Sequence, residues 1–336
     1  MRPNILSVDP KFALPGGEFH ISGAELMAGD GERPLVQFGT EAGAIIFGTK
    51  SHLVAQVPEE GTGPLVLSPN GDSVSWDVGI AQVIAENLHP VANPAVDREG
   101  NIFVTFSGSR GQNVPVAIYK IDTNFNVTPY VNEMMNATGL ALDSEGFLYV
   151  SSRFDGTVYR VAPNGSLSTY AEGMGVATGM VFDGQRNLYV GDRSGTIFKI
   201  ASDRQIYVFA TIEPSMAAYH LAFSPNGNLY ATSPSTSSND AVYEIDPHGS
   251  VTVYYRGLGR PQGLAFDFDG NLYVAASLGG RRGIVRIDPQ HNATLTVSGN
   301  NLVGLAFAPE RCVVLATNDA ILHLNWDIAG PILVAD

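Results

Sequence analysis

One cysteine, Cys312, is all the thiol this 336-residue chain contains, so no disulfide can form within it. Its setting, Cys312-Val-Val-Leu315, reads as a core strand rather than a reactive or metal-binding site. Lysine is nearly absent, with four residues, and the net charge is −14. An acidic chain of this kind lacks the basic surface that nucleic acid requires, and it is repelled by anionic membrane surfaces. No apolar run is long enough to cross a bilayer, so no membrane insertion is expected. The start, Met1-Arg-Pro-Asn4, shows no signal-peptide core, and the expectation is a cytoplasmic protein, or an extracellular one if a signal has been removed. No stretch has the period of a long amphipathic helix, and no G-x-S-x-G, H-E-x-x-H or phosphate-loop pattern occurs.

What the chain does contain is one phrase, repeated. Its fullest copy is Gly263-Leu-Ala-Phe-Asp267, a turn Phe268-Asp-Gly-Asn271, a second strand Leu272-Tyr-Val-Ala275, and a third strand Gly283-Ile-Val-Arg-Ile287. Copies begin at Gly139, Gly179 and His220, with weaker ones at Asn93 and Gly304. The residue ending each first strand is Asp97, Asp143, Asp183, Ser224, Asp267 and Ala308, with successive differences of 46, 40, 41, 43 and 41. A four-stranded unit at this period predicts an all-β, six-bladed β-propeller. The repeated aspartates fall where a strand turns back on itself, a turn-capping position.

Gln82–Asp97 aligns without a gap on Thr252–Asp267, so residues 80–85 read as an outer strand that closes the last blade. Residues 331–335 compete for the same place. The reading favours 80–85, with the tail as an added edge strand or a contact to the N-terminal region. Residues 1–78 lack the repeat. They show short β runs such as Glu18-Phe-His-Ile21, broken by Pro15-Gly-Gly17 and Asn70-Gly71, and predict an immunoglobulin-like β-sandwich. The expected domains are therefore 1–78 and 79–336.

The phrases G-L-A-F-D, D-G-N-L-Y-V and V-Y-R-I resemble the NHL and SMP-30/gluconolactonase-like group of six-bladed propellers. The opening Pro3…Ser7-Val-Asp-Pro10…Pro15-Gly-Gly-Glu-Phe-His-Ile-Ser-Gly23 resembles the IPT/TIG family. Lactonases of the first group imply a divalent metal in the channel, held by carboxylates and amides near the starts of the inner strands. Here those starts are Asn93, Thr138, Thr178, Tyr219, His220, Gln262 and Val303. Only Asn93 has suitable chemistry, so no metal and no cofactor are expected. His220 replaces a glycine of the phrase and is the single weak catalytic candidate, as a base or ligand donor.

The loops leading into the inner strands, and those between second and third strands, carry Met134, Met135, Met174 and Met216. They also carry Arg110, Arg153, Arg193, Arg260, Arg281 and Arg282, beside Tyr219 and His220. Methionine and arginine suit adaptable interfaces. Two other readings compete: the methionines plug the mouth while the arginines pair with Asp155, Asp192, Glu133 and Glu172, or the arginines hold a small anionic ligand. The leading expectation is a non-enzymatic scaffold engaged in protein–protein interaction through this face. The alternative is a hydrolase acting on a lactone or other small molecule in the channel.

Overall fold

The computed structural model describes residues 2–27, 33–69, 71–109, 111–132, 134–332 and 334–335. Among them every regular element is a strand except one 3-10 turn, Pro309–Arg311. No helix is long and apolar enough to cross a membrane.

The first 76 residues supply two four-stranded sheets. One has the order Asn4–Asp9, Glu18–Ala24, His52–Gln56, Ala44–Gly48. The other has the order Glu41–Ala42, Leu35–Phe38, Leu65–Ser68, Val74–Trp76. Alternation decides which faces meet: in Glu18-Phe19-His20-Ile21 the apolar residues are buried and their neighbours half-exposed. Phe19 and Ile21 pack with Phe38, Leu53, Leu65 and Leu67 between the sheets, with Phe19 and Phe38 stacked at 5.8 Å.

The remaining sheets follow the repeat. Their innermost strands are Ala95–Val96, Ala137–Asp143, Ala177–Phe182, His220–Phe223, Leu264–Phe266 and Leu302–Ala308. Each packs on the next, and the last returns to the first, so the strands form a ring about a central axis, the arrangement of a propeller. The phrase explains the joints between sheets. The tyrosine of each L-Y-V strand meets the phenylalanine of the next inner strand edge-on: Tyr149 with Phe182, Tyr189 with Phe223, Tyr230 with Phe266 and Tyr273 with Phe307, at 4.7–6.0 Å.

The repeated aspartates cap the tight turns on one face, as expected. Asp267 accepts the Asn271 amide N–H at 2.8 Å, the Asn271 side-chain amide at 2.7 Å and the Tyr273 hydroxyl at 3.1 Å. Asp183 does the same for Asn187 and Tyr189. In the fourth sheet Ser224 stands in that place. Glu244 on the third strand takes over, accepting from Asn228 and Tyr230, both at 2.7 Å.

Ring closure uses the N-terminal segment. Gln82–Ala85 pairs antiparallel with Ile321–Asn325 as the outer strand of the sixth sheet. Ile80, expected in the same strand, instead pairs together with Gly79 on Phe12–Ala13, which in turn pairs parallel with Ala293–Ser298 of the fifth sheet. Leu14 N–H to Ser298 O at 2.8 Å and Arg281 to Asp9 at 2.6 Å reinforce that seam. The tail is an added edge strand, the first of the two expected alternatives. With the outer position filled, it runs across the face of tight turns, where Ala329 O accepts from Phe268 N–H at 3.3 Å. Val334–Ala335 then pairs parallel with Leu142 and Asp143 on the free edge of the second sheet's innermost strand. It touches neither the outer edge nor the N-terminal sheets by strand pairing.

Candidate functional site

Six equivalent positions surround the axis: Asn93, Gly139, Gly179, His220, Gly263 and Gly304. Four are glycine because the inner strands close in here. A Cβ at Gly263 would collide with Asn93 Oδ1 and with Gly304 Cα. Asn93 and His220 stand on opposite sides of the ring and fill the space that the glycines leave. Asn93 Nδ2 donates to Leu264 O at 2.9 Å, and its Oδ1 accepts from Leu305 N–H at 3.1 Å. Both ends of the amide thus bond the fifth and sixth sheets, so Asn93 is a staple between them.

The other strand starts are committed too. Thr138 Oγ1 donates to Asn136 O at 3.0 Å, Thr178 Oγ1 donates to Gly191 O at 2.9 Å, and Gln262 Nε2 donates to Leu302 O at 3.2 Å. Tyr219 is wholly buried and its hydroxyl donates to Glu213 O. Burial pushes the Tyr219 phenol up to about 12. Among the described residues no three His, Cys, Asp or Glu side chains are placed to hold a metal ion. The donor set therefore does not fit the metal that the lactonase resemblance implies.

His220 is 3 % exposed, and burial holds its imidazole down to about 4. It is neutral at neutral pH and a weak base. It makes no hydrogen bond through its ring to any described residue. This weak catalytic candidate is accounted for by filling the ring.

The methionine and arginine face proves to be several different things. Met134 and Met174 are buried at 3 % and 0 %, one in the core between the first and second sheets and the other in that between the second and third. They belong to the cores between sheets and cannot anchor a partner. Arg281 pairs with Asp9 and serves the seam. Arg153 Nη2 donates to Gly108 O at 2.8 Å, and Arg193 Nη2 donates to Met216 O. In the competing reading these arginines pair with Asp155 and Asp192; those carboxylates accept from Thr157 N–H and Tyr159, and from Val176 N–H and Ser194. Arg110 and Glu133 lie outside the described residues. Met135 is half-buried. Met216, Arg260 and Arg282 remain exposed.

Those three line one cleft. It has a volume of about 770 Å³ and opens on the loop face between the fourth, fifth and sixth sheets. Its walls come from Ser235–Ser238, Ser277, Gln262, Asn301 and Asn318, with Val303 and Leu302 at the base. Two of its side chains stand on left-handed backbone, Arg260 at φ 48 and Asn301 at φ 60. Gly259 holds the first in place through paired backbone hydrogen bonds with Ser277, each 2.9 Å. On the other wall the turn Gly279-Gly280, at φ 59 and 86, closes the Leu272–Leu278 and Arg281–Ile287 hairpin in two residues. Alternation along that strand sends Arg281 to Asp9, while Arg282, opposite Ser277, lines the cleft.

The sequence analysis did not single out the serine loop, Asn301 or Asn318. The one available signal was an asparagine, tolerant of left-handed backbone, just before an inner strand. A smaller hollow on the opposite face, about 520 Å³ between the turns at Asp183 and Ser224, is lined by phenylalanines and contains no arginine among the described residues.

No family model matches the chain, and no curated protein matches it in sequence. Solved structures do resemble it. A protein assigned to the gluconolactonases is 15 % identical with a TM-score of 0.61, covering 75 % of this chain and 93 % of that one. An auxiliary nutrient binding protein from Bacteroides thetaiotaomicron is 12 % identical with a TM-score of 0.57, covering 96 % and 97 %. Virginiamycin B lyase from Staphylococcus aureus, in an inactive variant with quinupristin, is 12 % identical with a TM-score of 0.54, covering 84 % and 94 %. The chain thus has the all-β propeller fold of SMP-30/gluconolactonase-like and virginiamycin B lyase-type proteins.

Proposed function

We propose that the chain is a small-molecule-binding protein whose ligand sits in the cleft between the fourth, fifth and sixth sheets. In this reading residues 79–336 are a six-bladed propeller of the SMP-30/gluconolactonase-like kind, and residues 1–78 are an immunoglobulin-like sandwich related to IPT/TIG modules. The observation that carries the reading is the cleft itself. Its volume of about 770 Å³ lies within the usual range for small-molecule sites, and hydroxyl, amide and guanidinium donors converge in it. The nutrient binding protein supports it, because that likeness spans 96 % of this chain, sandwich region included. Protein docking through the loop face is not retained, since its central methionines are core.

A second reading, a hydrolase or lyase acting on a small molecule in the same place, is favoured by the gluconolactonase and lyase neighbours. The lining weighs against it: no carboxylate, imidazole or thiol borders the cleft to move a proton. A thermal-shift screen against a library of metabolites tests the first reading, with Asn318→Trp as the variant that fills the cleft. A ligand whose stabilisation is abolished in Asn318→Trp is the expected result. A ligand that stabilises both proteins equally, or turnover of a lactone that survives in the variant, would overturn it.

A further inference from the structure

We infer that the ligand of this cleft carries an oxyanion, a carboxylate or a phosphate, gripped between Arg260 and Arg282. The inference rests on the cleft being the ligand site and adds the chemical class of what it takes. Neither guanidinium has an ion pair or a side-chain hydrogen bond among the described residues, although the chain carries 33 acidic residues against 19 basic ones. In so acidic a protein, two cations in one hollow without a carboxylate in its lining form a local exception. Asp240, behind the serine loop, accepts from Ser235 N–H at 3.0 Å and from its hydroxyl, so its charge is spent on shaping that loop.

Other ligand classes fit the lining less well. A cation would need carboxylates or aromatic faces, and neither is there. A neutral sugar is usually held by stacking on an aromatic ring, and no aromatic residue lines the walls. Arginine is the side chain that grips planar or tetrahedral oxyanions through two donors at once. The backbone is bent to present it: Arg260 adopts a left-handed conformation that glycine would take at lower cost, between Gly259 and Pro261. The amides of Asn301 and Asn318, which make no side-chain hydrogen bond to the described residues, face the same space and suit a polar body attached to the anion.

The test uses the full chain and four probes in two matched pairs. Gluconate is compared with sorbitol, and glucose 6-phosphate with glucose, by titration calorimetry at low salt and at concentrations of up to about 10 mM. At least one charged probe should bind roughly tenfold or more tightly than its neutral partner, since hydrogen bonds to a charged group are worth that much. Which pair shows the difference tells carboxylate from phosphate. Arg260→Gly and Arg282→Gln should each remove most of that preference, and Arg260→Lys should restore part of it. Charged and neutral probes binding alike would overturn the inference and leave the cleft reading standing. So would a charge preference that survives both variants. No binding by any probe would also overturn it, while the metabolite screen with Asn318→Trp judges the cleft independently.

Discussion

His220 shows how a single side chain can look functional in sequence and be structural in the fold. Its pKa is lowered from the ordinary 6.5 to about 4 by burial, so folding favours the neutral form. The stability that His220 contributes is fully present above pH 6.5 and is lost as pH falls towards 4, because the unfolded chain takes up the proton first. Below 4 both states are charged and the loss is complete, at about 3 kcal/mol. His220→Asn, which borrows the residue that fills the opposite side of the ring, should flatten the difference in urea stability between pH 7 and pH 4.5. An unchanged difference would mean that the imidazole is not what titrates. Asp267 belongs to the same scale. It holds Asn271 and Tyr273 in a turn and is 3 % exposed, so Asp267→Ala strands three donors and should cost about 1–3 kcal/mol. Asp269, two residues on and outside that network, should be replaceable at little cost. Arg260→Gly goes the other way: relief of a left-handed non-glycine residue should leave the melting temperature unchanged or raise stability by about 0.5–1 kcal/mol.

At the scale of elements, the repeat was legible because each of its letters does a local job. Glycine lets inner strands meet, aspartate caps the turn, and tyrosine and phenylalanine join one sheet to the next. The closing strand could be read for the same reason, since it is a copy of an outer strand displaced to the front of the ring. Met134 and Met174 were not legible as core. They sit in loops, where no period tells which way a side chain points, and only the neighbouring sheets enclose them. The cleft was not legible either, because its walls come from three sheets and from loops some 40 residues apart in sequence. The strand pairing makes a graded prediction. Removing residues 1–78 strips Phe12–Ala13 and Asp9 from the fifth sheet but keeps Gln82–Ala85, so the ring stays closed. Removing residues 1–88 leaves the sixth sheet with a bare edge. The shorter deletion should give a soluble protein with a sharp thermal transition and the longer one an aggregating protein. Equal solubility and melting would count against closure by this strand.

At the scale of the whole molecule, the two ends of the chain are both used to finish the ring, one at its circumference and the other at its axis. The last residues cross the face opposite the cleft, pass Gly330 against the Phe307 ring, and pair with the second sheet at Leu142 and Asp143. Asn93 and His220 stand in the ring, and the tail runs across the face of tight turns on the other side from the cleft. A chain ending at Gly330 should therefore keep its ring and its cleft, because no residue of the cleft contacts the tail through strand pairing. Strand Ala137–Asp143 should lose protection from hydrogen exchange at the Leu142 amide, which faces the tail, while the Asp143 amide, which donates to Phe147 O, and Leu264–Phe266 in the fifth sheet should be unaffected. Exchange measured by mass spectrometry on both chains checks this. Identical protection of Leu142 with and without the last six residues would show that the tail does not pair with this strand in solution.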